Sequence, residues 1–442
     1  MSYNNQNALR IDEVMDEKGL KGSLKKPAPD PLLNMEYVSP VNQGRFSSIG
    51  KLESGVSLLQ AAQIGIDKTM QWLQEIRQFL ESSREATDVH HVPISVANRY
   101  IQDRLALIDQ LVKSSRFQGK AVLDGSYGIQ AYSTGKRLKF VRGSARVTSS
   151  PDKGFPVKIV QPPKPSILLG YGTLTEQELK EEKLIALNDG SQEVRYRVRK
   201  NETPETLINN LKKCLMNHNF DVDVYKTDDQ RLFFRHNQLG SKNSFKGLSL
   251  NSRLISEIPG QYASSNPGID IAGTINDESA HGDGGFLIGD AGNKRTDGLV
   301  VFFDGQIDFP GQVVGHIHSI QKGMAVPLDA TGSLVEMLSL PSIDPTMLAV
   351  GVANSRGFEN LAAIRIADSS DISDALRLII WSSVYLKYLS KELKQKEDEY
   401  IERTIELLHG SMDRFNQKED PFSLSREKAD DMIGQIKEML NH

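Results

Sequence analysis

Two long apolar stripes, one near each end of the chain, constrain the fold more than any other feature of the sequence. Between residues 46 and 83, apolar side chains recur with alternating spacings of four and three residues, and no proline interrupts them. That spacing places one apolar face along an α-helix roughly 50 Å long. A helix of this length cannot bury its own apolar face, so the pattern predicts partner helices beside it.

Two further segments are predicted to be these partners. Residues 93–114 repeat the apolar spacing, and residues 370–416 carry a second long stripe opposite a densely charged face. Because the first and last stripes have matching lengths, we predict that they pack together as an antiparallel bundle. The side chains predicted to form this packing interface are Leu59, Ile66, Leu73, Leu105, Ile108, Leu386 and Leu393.

The middle of the chain has a different character, with short runs of β-branched and aromatic residues separated by Gly, Asn and Asp. Residues 145–150 are predicted to be one strand, and the alternation from Val194 to Arg199 predicts another. Thr203 followed by Pro204 predicts the start of a short helix between strands. Strands and a helix in this order indicate an α+β module. The predicted fold class is therefore α+β, a long antiparallel helical rod bundle with a β-rich insertion.

Changes in composition divide the 442 residues into five parts, which suits two to four domains at roughly 100–200 residues each. The first part is broken by prolines, which disfavour helix at the preceding residue, so a linker arm and plain disorder both remain open. Gly410 is predicted to end the last rod. The five parts are a flexible arm (1–45), an N-terminal helical rod pair (46–127), a β-rich head (128–345), the C-terminal part of the rod with its return helix (346–416) and a short C-terminal helix (417–442).

Composition argues against several classes of protein. Lys and Arg (53) nearly balance Asp and Glu (57), so no basic field favours nucleic acid as a partner. Cys214 is the single cysteine, which rules out a disulfide or a cysteine-based zinc site within one chain. No apolar run approaches the ~20 residues of a membrane span, so membrane insertion is not expected. The polar N-terminal segment lacks the apolar core of a cleaved signal peptide, so any export is expected by another route.

The usual catalytic motifs are absent from the sequence, which has no P-loop, HExxH, GxSxG or complete GxGxxG pattern. His316 and His318 would share one face of a strand, as a metal pair does, but no third ligand is set by spacing. The Asp- and Gly-rich segment 281–298 lacks the register of a calcium loop and is better explained by turns. We therefore expect no catalytic, cofactor-binding or metal-binding residues, no cofactor, no small-molecule substrate and no enzyme activity.

Several segments share residues with a known family. Residues 73–79 resemble a Leu-Gln-x-Ile-Arg-Glu-Leu core, and residues 108–126 end with Phe, Gly and Asp-Gly in the register of that family's second rod. Residues 361–368 and 374–408 are similar to its strand and return helix, and residues 268–278 resemble an element of its β-domains. The family is bacterial flagellin with its hook–filament junction relatives, which the chain resembles over more than half its length.

The resemblance implies a structural component or accessory subunit of the bacterial flagellar filament, acting by rod-to-rod packing without catalysis. It implies flagellin or flagellin-like subunits and an export chaperone as partners, and a location in the flagellum outside the cell. The alternative is a secreted flagellin-like adhesin or binding module that uses the insertion. Residues 1–45 do not match the family pattern. Residues 425–433 resemble the start of the family's terminal helix, but the segment that usually follows it is missing, so self-assembly through ordinary terminal helices is not expected. Glu75 stands where the family presents an arginine to an innate-immune receptor, which argues against that contact.

Overall fold

The computed structural model of the chain describes residues 40–85, 93–352, 354 and 357–417. Within these ranges it forms four α-helices, one short 3-10 helix (Leu361–Ala363) and nineteen β-strands. The α+β class predicted from the sequence is confirmed. The predicted short C-terminal helix and most of the predicted flexible arm lie outside the described residues.

The helices are α1 (Pro40–Glu85), α2 (Ile94–Ser114), α3 (Pro204–Asn217) and α4 (Ser369–Gln417). Two of their ends differ from prediction. Helix α1 begins inside the predicted arm, because a proline is well tolerated at the first position of a helix. Helix α4 continues past Gly410, where it was predicted to end. A glycine inside a helix costs only about 1 kcal/mol relative to alanine, which the long helix tolerates.

The strands pair antiparallel in five sheets. The strands are β1 (Arg116–Phe117), β2 (Lys120–Ala121), β3 (Ile129–Thr134), β4 (Leu138–Arg142), β5 (Phe155–Gln161), β6 (Pro165–Thr173), β7 (Lys183–Asn188), β8 (Glu193–Val198), β9 (Val222–Lys226), β10 (Arg231–Leu239), β11 (Lys246–Leu250), β12 (Ala263–Ser264), β13 (Ala272–Ile275), β14 (Glu278–Asp283), β15 (Phe286–Gly289), β16 (Val300–Phe303), β17 (Gln312–Gln321), β18 (Met324–Pro327) and β19 (Val335–Leu338).

The largest sheet has eight strands in the order β3-β17-β5-β13-β14-β15-β16-β4. Its two outer strands, β3 and β4, follow one another in the chain and are joined by a short turn that contains Gly135 at a φ of +99°. A side chain there would meet the Val314 carbonyl oxygen at 2.2 Å, so the turn needs a glycine. One face of the sheet buries a core that includes Phe155, Val157 and Ile317.

Residues 145–150, predicted to be a strand, form none. They lie beside β17 and bond to it partly through hydroxyl groups, as when the Ser319 amide donates to Ser150 Oγ at 3.0 Å and the Gln321 amide donates to Ser149 Oγ at 3.0 Å. Ser and Thr side chains can replace backbone ladder bonds in this way. The prediction was wrong because alternating polar residues resemble a strand even when side chains satisfy the neighbouring backbone.

A second module follows β5 in the chain and contains two smaller sheets, β6-β10-β9 and β12-β11-β7-β8, packed with helix α3 around a separate core. Thr203 Oγ1 caps α3 by accepting from the Thr206 amide at 3.2 Å, as predicted from the Thr-Pro pair. The chain leaves β5 and returns at β13, which is the neighbour of β5 in the large sheet. The predicted head therefore has two hydrophobic cores.

Candidate packing interface

The third core lies between the long helices. It includes apolar side chains of α1, α2 and α4 together with residues from 122–127 and 338–366. The structure brings all seven residues of the predicted packing interface into this one cluster, and each of them is buried. The reason is local, because apolar residues at spacings of three and four align on one helix face and need a second face to cover them.

Polar side chains also link α1 and α4. Gln63 Nε2 donates to the Ser390 carbonyl oxygen at 2.8 Å, and Ser390 Oγ donates back to Gln63 Oε1 at 2.8 Å. Three residues earlier on α1, Gln60 Nε2 donates to Glu397 Oε1 at 2.9 Å. Residue numbers rise along α1 while those of the partners fall, so the two helices run in opposite directions here. A slip of register would break these bonds and leave polar groups unpaired beside the core.

The two helices approach one another closely at Gly55 and Tyr400. A Cβ atom at Gly55 would lie 2.9 Å from two carbons of the Tyr400 ring, which is fully buried. The hairpin β18–β19 covers this point, because Glu336 accepts from Lys396 Nζ at 2.7 Å and from the Tyr400 hydroxyl at 3.4 Å. Burial raises the pKa of Tyr400, and the Glu336 carboxylate raises it further. No local pattern around Glu336 indicates that it would reach a helix so distant in the chain.

Helices α1 and α2 meet at a mixed polar and aromatic cluster. Arg104 Nε lies 3.1 Å from Glu75 Oε2, and the Arg104 guanidinium stacks 4.2 Å above the Tyr100 ring. Phe79 stacks on the same tyrosine with ring centroids 4.4 Å apart. Glu75 is thus held by a neighbouring helix of its own chain.

The outward face of α4 carries an uncovered apolar row. Ile380, Val384 and Tyr388 follow one another at intervals of four residues and are 38%, 65% and 66% exposed. Side chains four residues apart lie above one another on a helix, so the three form a continuous stripe. We call these three residues the α4 stripe.

Residues considered for other chemistry have structural partners. His318 stacks on Tyr132 with ring centroids 4.7 Å apart, and His281 Nδ1 lies 2.6 Å from Asp290 Oδ1. Cys214 packs against the core of the second module, where burial raises the pKa of its thiol. In the part of the chain that the structure describes, no cluster of three or more His, Cys, Asp or Glu side chains could hold a metal ion. Nor is any described helix long and apolar enough to cross a membrane.

Solved structures similar to this chain come from flagella. FliC, a flagellin from Burkholderia pseudomallei, is 13% identical and aligns over 78% of this chain and 99% of its own, with a TM-score of 0.30. The flagellar junction protein FlgL from Legionella pneumophila is 9% identical over 81% of this chain and 93% of its own, with a TM-score of 0.23. The flagellar cap protein FliD from Escherichia coli is 8% identical over 44% of this chain and 100% of its solved fragment, with a TM-score of 0.30.

No protein-family model matches the sequence, and no curated protein matches it. These TM-scores mean that the chain shares only part of its arrangement of helices and strands with those structures. Its function is therefore inferred from its own residues. These three solved structures are a flagellar cap protein, a flagellin and a flagellar junction protein.

Proposed function

We propose that the chain is a structural or accessory subunit of the bacterial flagellum, which packs against flagellin-like neighbours through its helices and catalyses no reaction. The observation that carries this proposal is the α4 stripe. Large apolar side chains in a continuous exposed row are costly in water and become favourable when a second surface covers them. The opposite face of the same helix is buried in the core shared with α1 and α2, so among the described residues the stripe has no surface against it.

In this proposal α1, α2 and α4 form one antiparallel rod bundle, and the β-rich insertion (128–345) is the head that it carries. The shared apolar core and the polar pairs of Gln60 and Gln63 support a bundle with a single register. A rigid bundle suits assembly, because a subunit interface gains most when its surface is already ordered. The flagellin-like motifs on the rods support a location in the flagellum and flagellin-like subunits as partners.

The test is incorporation into growing filaments. The purified chain is mixed with flagellin from the same organism during polymerisation, and the fraction that sediments with the filaments is measured. We expect the unaltered chain to sediment with them and Val384→Glu to do so at least fivefold less, since a charge in an apolar contact loses hydration without a partner.

Ile64→Glu is the matched control. Ile64 is 66% exposed, nearly the same as Val384, but its neighbours one turn away on α1 include Gln60 and Lys68. This variant is expected to sediment like the unaltered chain. The proposal is wrong if the unaltered chain stays in the supernatant, or if Val384→Glu enters filaments as well as Ile64→Glu does.

A further inference from the structure

A cleft of about 280 Å³ lies where the eight-stranded sheet meets helix α4. Strands β3 and β4 form one wall, the segment 341–347 forms another, and α4 contributes the third. The apolar part of its lining consists of Ile129, Phe140, Met347, Trp381 and Tyr385. Concave sites with aromatic walls and a few polar groups are typical of small-ligand binding, and this volume is near the lower end of their range.

Several side-chain donors at the cleft make no hydrogen bond to a described residue. The Arg142 guanidinium has no hydrogen bond or ion pair with any described residue, and it lies 5.8 Å from the centre of the Tyr385 ring. Tyr385 in turn stacks on Trp381, with ring centroids 5.7 Å apart. Neither the Tyr385 hydroxyl nor the Trp381 indole N–H donates a hydrogen bond within the described ranges. Burial raises the pKa of Tyr385 to about 12, so its hydroxyl keeps its proton at neutral pH.

Hydrogen-bond acceptors are present as well. Asp124 Oδ1 accepts from the Ser126 amide at 2.8 Å, and Asp344 Oδ1 accepts from the Thr346 amide at 2.8 Å and from Thr346 Oγ1 at 2.6 Å. These bonds hold each carboxylate in place and use one of its oxygens. Among described residues, the second oxygen of each carboxylate accepts no hydrogen bond. The cleft therefore offers oriented donors and acceptors beside aromatic rings.

We propose that this cleft binds a neutral saccharide, with the ring of the sugar against the aromatic wall and its hydroxyl groups bonded to Arg142, Asp124 and Asp344. A sugar hydroxyl both donates and accepts, so it can satisfy a guanidinium and a carboxylate in the same site. The two carboxylates and one guanidinium give a local charge of −1, which disfavours an anionic ligand. The C–H face of a sugar supplies the apolar contact that aromatic side chains favour.

This inference does not depend on the assembly role. It gives the alternative of a binding module a specific location, at the junction of the head and the helices. The cleft and the α4 stripe are tested by different variants, because neither Arg142 nor Asp124 belongs to the stripe.

The chain contains two tryptophans, which provides a direct test. In the full-length variant Trp72→Phe, Trp381 is the only tryptophan, and its fluorescence is followed while glucose, galactose or N-acetylglucosamine is added. We expect a saturable change with at least one of these sugars, with a Kd of about 1 mM. In the same background, Arg142→Ala is expected to weaken binding at least tenfold. Lys136→Ala, which removes an exposed positive charge in the turn between β3 and β4, outside the cleft, is expected to leave sugar binding unchanged.

Asp124→Asn is a second variant that keeps an oxygen for the Ser126 amide but removes the negative charge, and it is expected to weaken binding several-fold. Thermal unfolding of each variant is measured beside the titration. The proposal is overturned if none of the three sugars gives a saturable change up to about 100 mM, a hundredfold above the expected Kd. It is also overturned if folded Arg142→Ala and Asp124→Asn bind as tightly as Lys136→Ala.

Discussion

Glu75 of α1 and Arg104 of α2 form an ion pair, with 3.1 Å between Oε2 and Nε, beside the stacked rings of Phe79 and Tyr100. Both charged side chains are about 30% exposed, at 32% and 29%. The pair joins two helices that otherwise meet through apolar residues. Glu75 therefore has a structural partner within its own chain.

Glu75→Arg would place two positive charges side by side at this junction. We expect a loss of about 1 kcal/mol in the free energy of unfolding, because a partly exposed pair contributes little and repulsion adds a similar amount. Urea unfolding at low salt measures this change in the free energy of unfolding. The charge swap Glu75→Arg with Arg104→Glu should recover most of the loss. If the double variant is as unstable as Glu75→Arg alone, the loss has a cause other than charge.

Leu73→Asp would bury a carboxylate in the core shared by α1, α2 and α4, where Leu73 has no solvent exposure. The cost is expected to be several kcal/mol, enough to unfold the helices near room temperature. The loss of stability is measured by thermal unfolding, with circular dichroism as the signal. Ile64→Asp on the exposed side of the same helix should change stability by less than about 0.5 kcal/mol. An unchanged melting temperature for Leu73→Asp would contradict the proposed bundle.

Gly55→Ala tests the close approach of α1 and α4. An added Cβ would lie 2.9 Å from the buried Tyr400 ring, which has little room to move, so we expect a net loss of about 1–3 kcal/mol. Gly50→Ala, on the same helix with nothing within 4 Å of the new atom, is the control. That variant should gain up to about 1 kcal/mol from helix propensity. Equal effects at the two positions, measured by urea unfolding, would mean that the helices are not in contact at Gly55.

His236 should make the protein less stable in mild acid. Burial lowers the pKa of this histidine below its usual 6.5, against the opposing pull of the Asp221 carboxylate. The unfolded chain therefore takes up more protons here than the folded one as pH falls below about 6.5, and stability declines. His236→Gln should show a smaller difference between urea midpoints at about pH 7.5 and about pH 5.5. His316→Gln, which changes a histidine on β17, is the control and should keep the full difference between the two urea midpoints. If His236→Gln also keeps the full difference, His236 is not the cause of the acid sensitivity.

Helix faces were the part of the fold most open to prediction from the sequence. Residues 93–114 were predicted to be a helix with one apolar face, and the residues that α2 buries lie at that helical spacing: Ala97, Ile101, Leu105, Ile108 and Val112. Helical periodicity is a local property, so a single segment contains the information. The same holds for α3, where Thr203 and Pro204 mark the first turn.

Other features depend on residues that are distant in the chain. Strand β5 lies between β13 and β17, more than a hundred residues away, and no local pattern in Phe155–Gln161 names those partners. The same applies to the contact between Glu336 and Tyr400, and to the cleft, whose walls come from three separate segments. Single-sequence patterns state which face is apolar, but they do not state what covers it. The two cores of the head were missed for that reason.

The second module is inserted at a point where its length and sequence can vary without disturbing the eight-stranded sheet. Lys164 bonds to Ile269 in both directions, at 2.8 and 2.9 Å, so the entry and exit of the module are joined before the module begins. The hundred or so residues beyond this clamp close a loop whose ends are already fixed, and loop-closure entropy varies only slowly with length. A shorter, longer or unrelated domain could be grafted there while β5 and β13 keep their pairing. Variation among relatives of this chain should therefore be greatest between residues 165 and 268, and the long helices would experience it least.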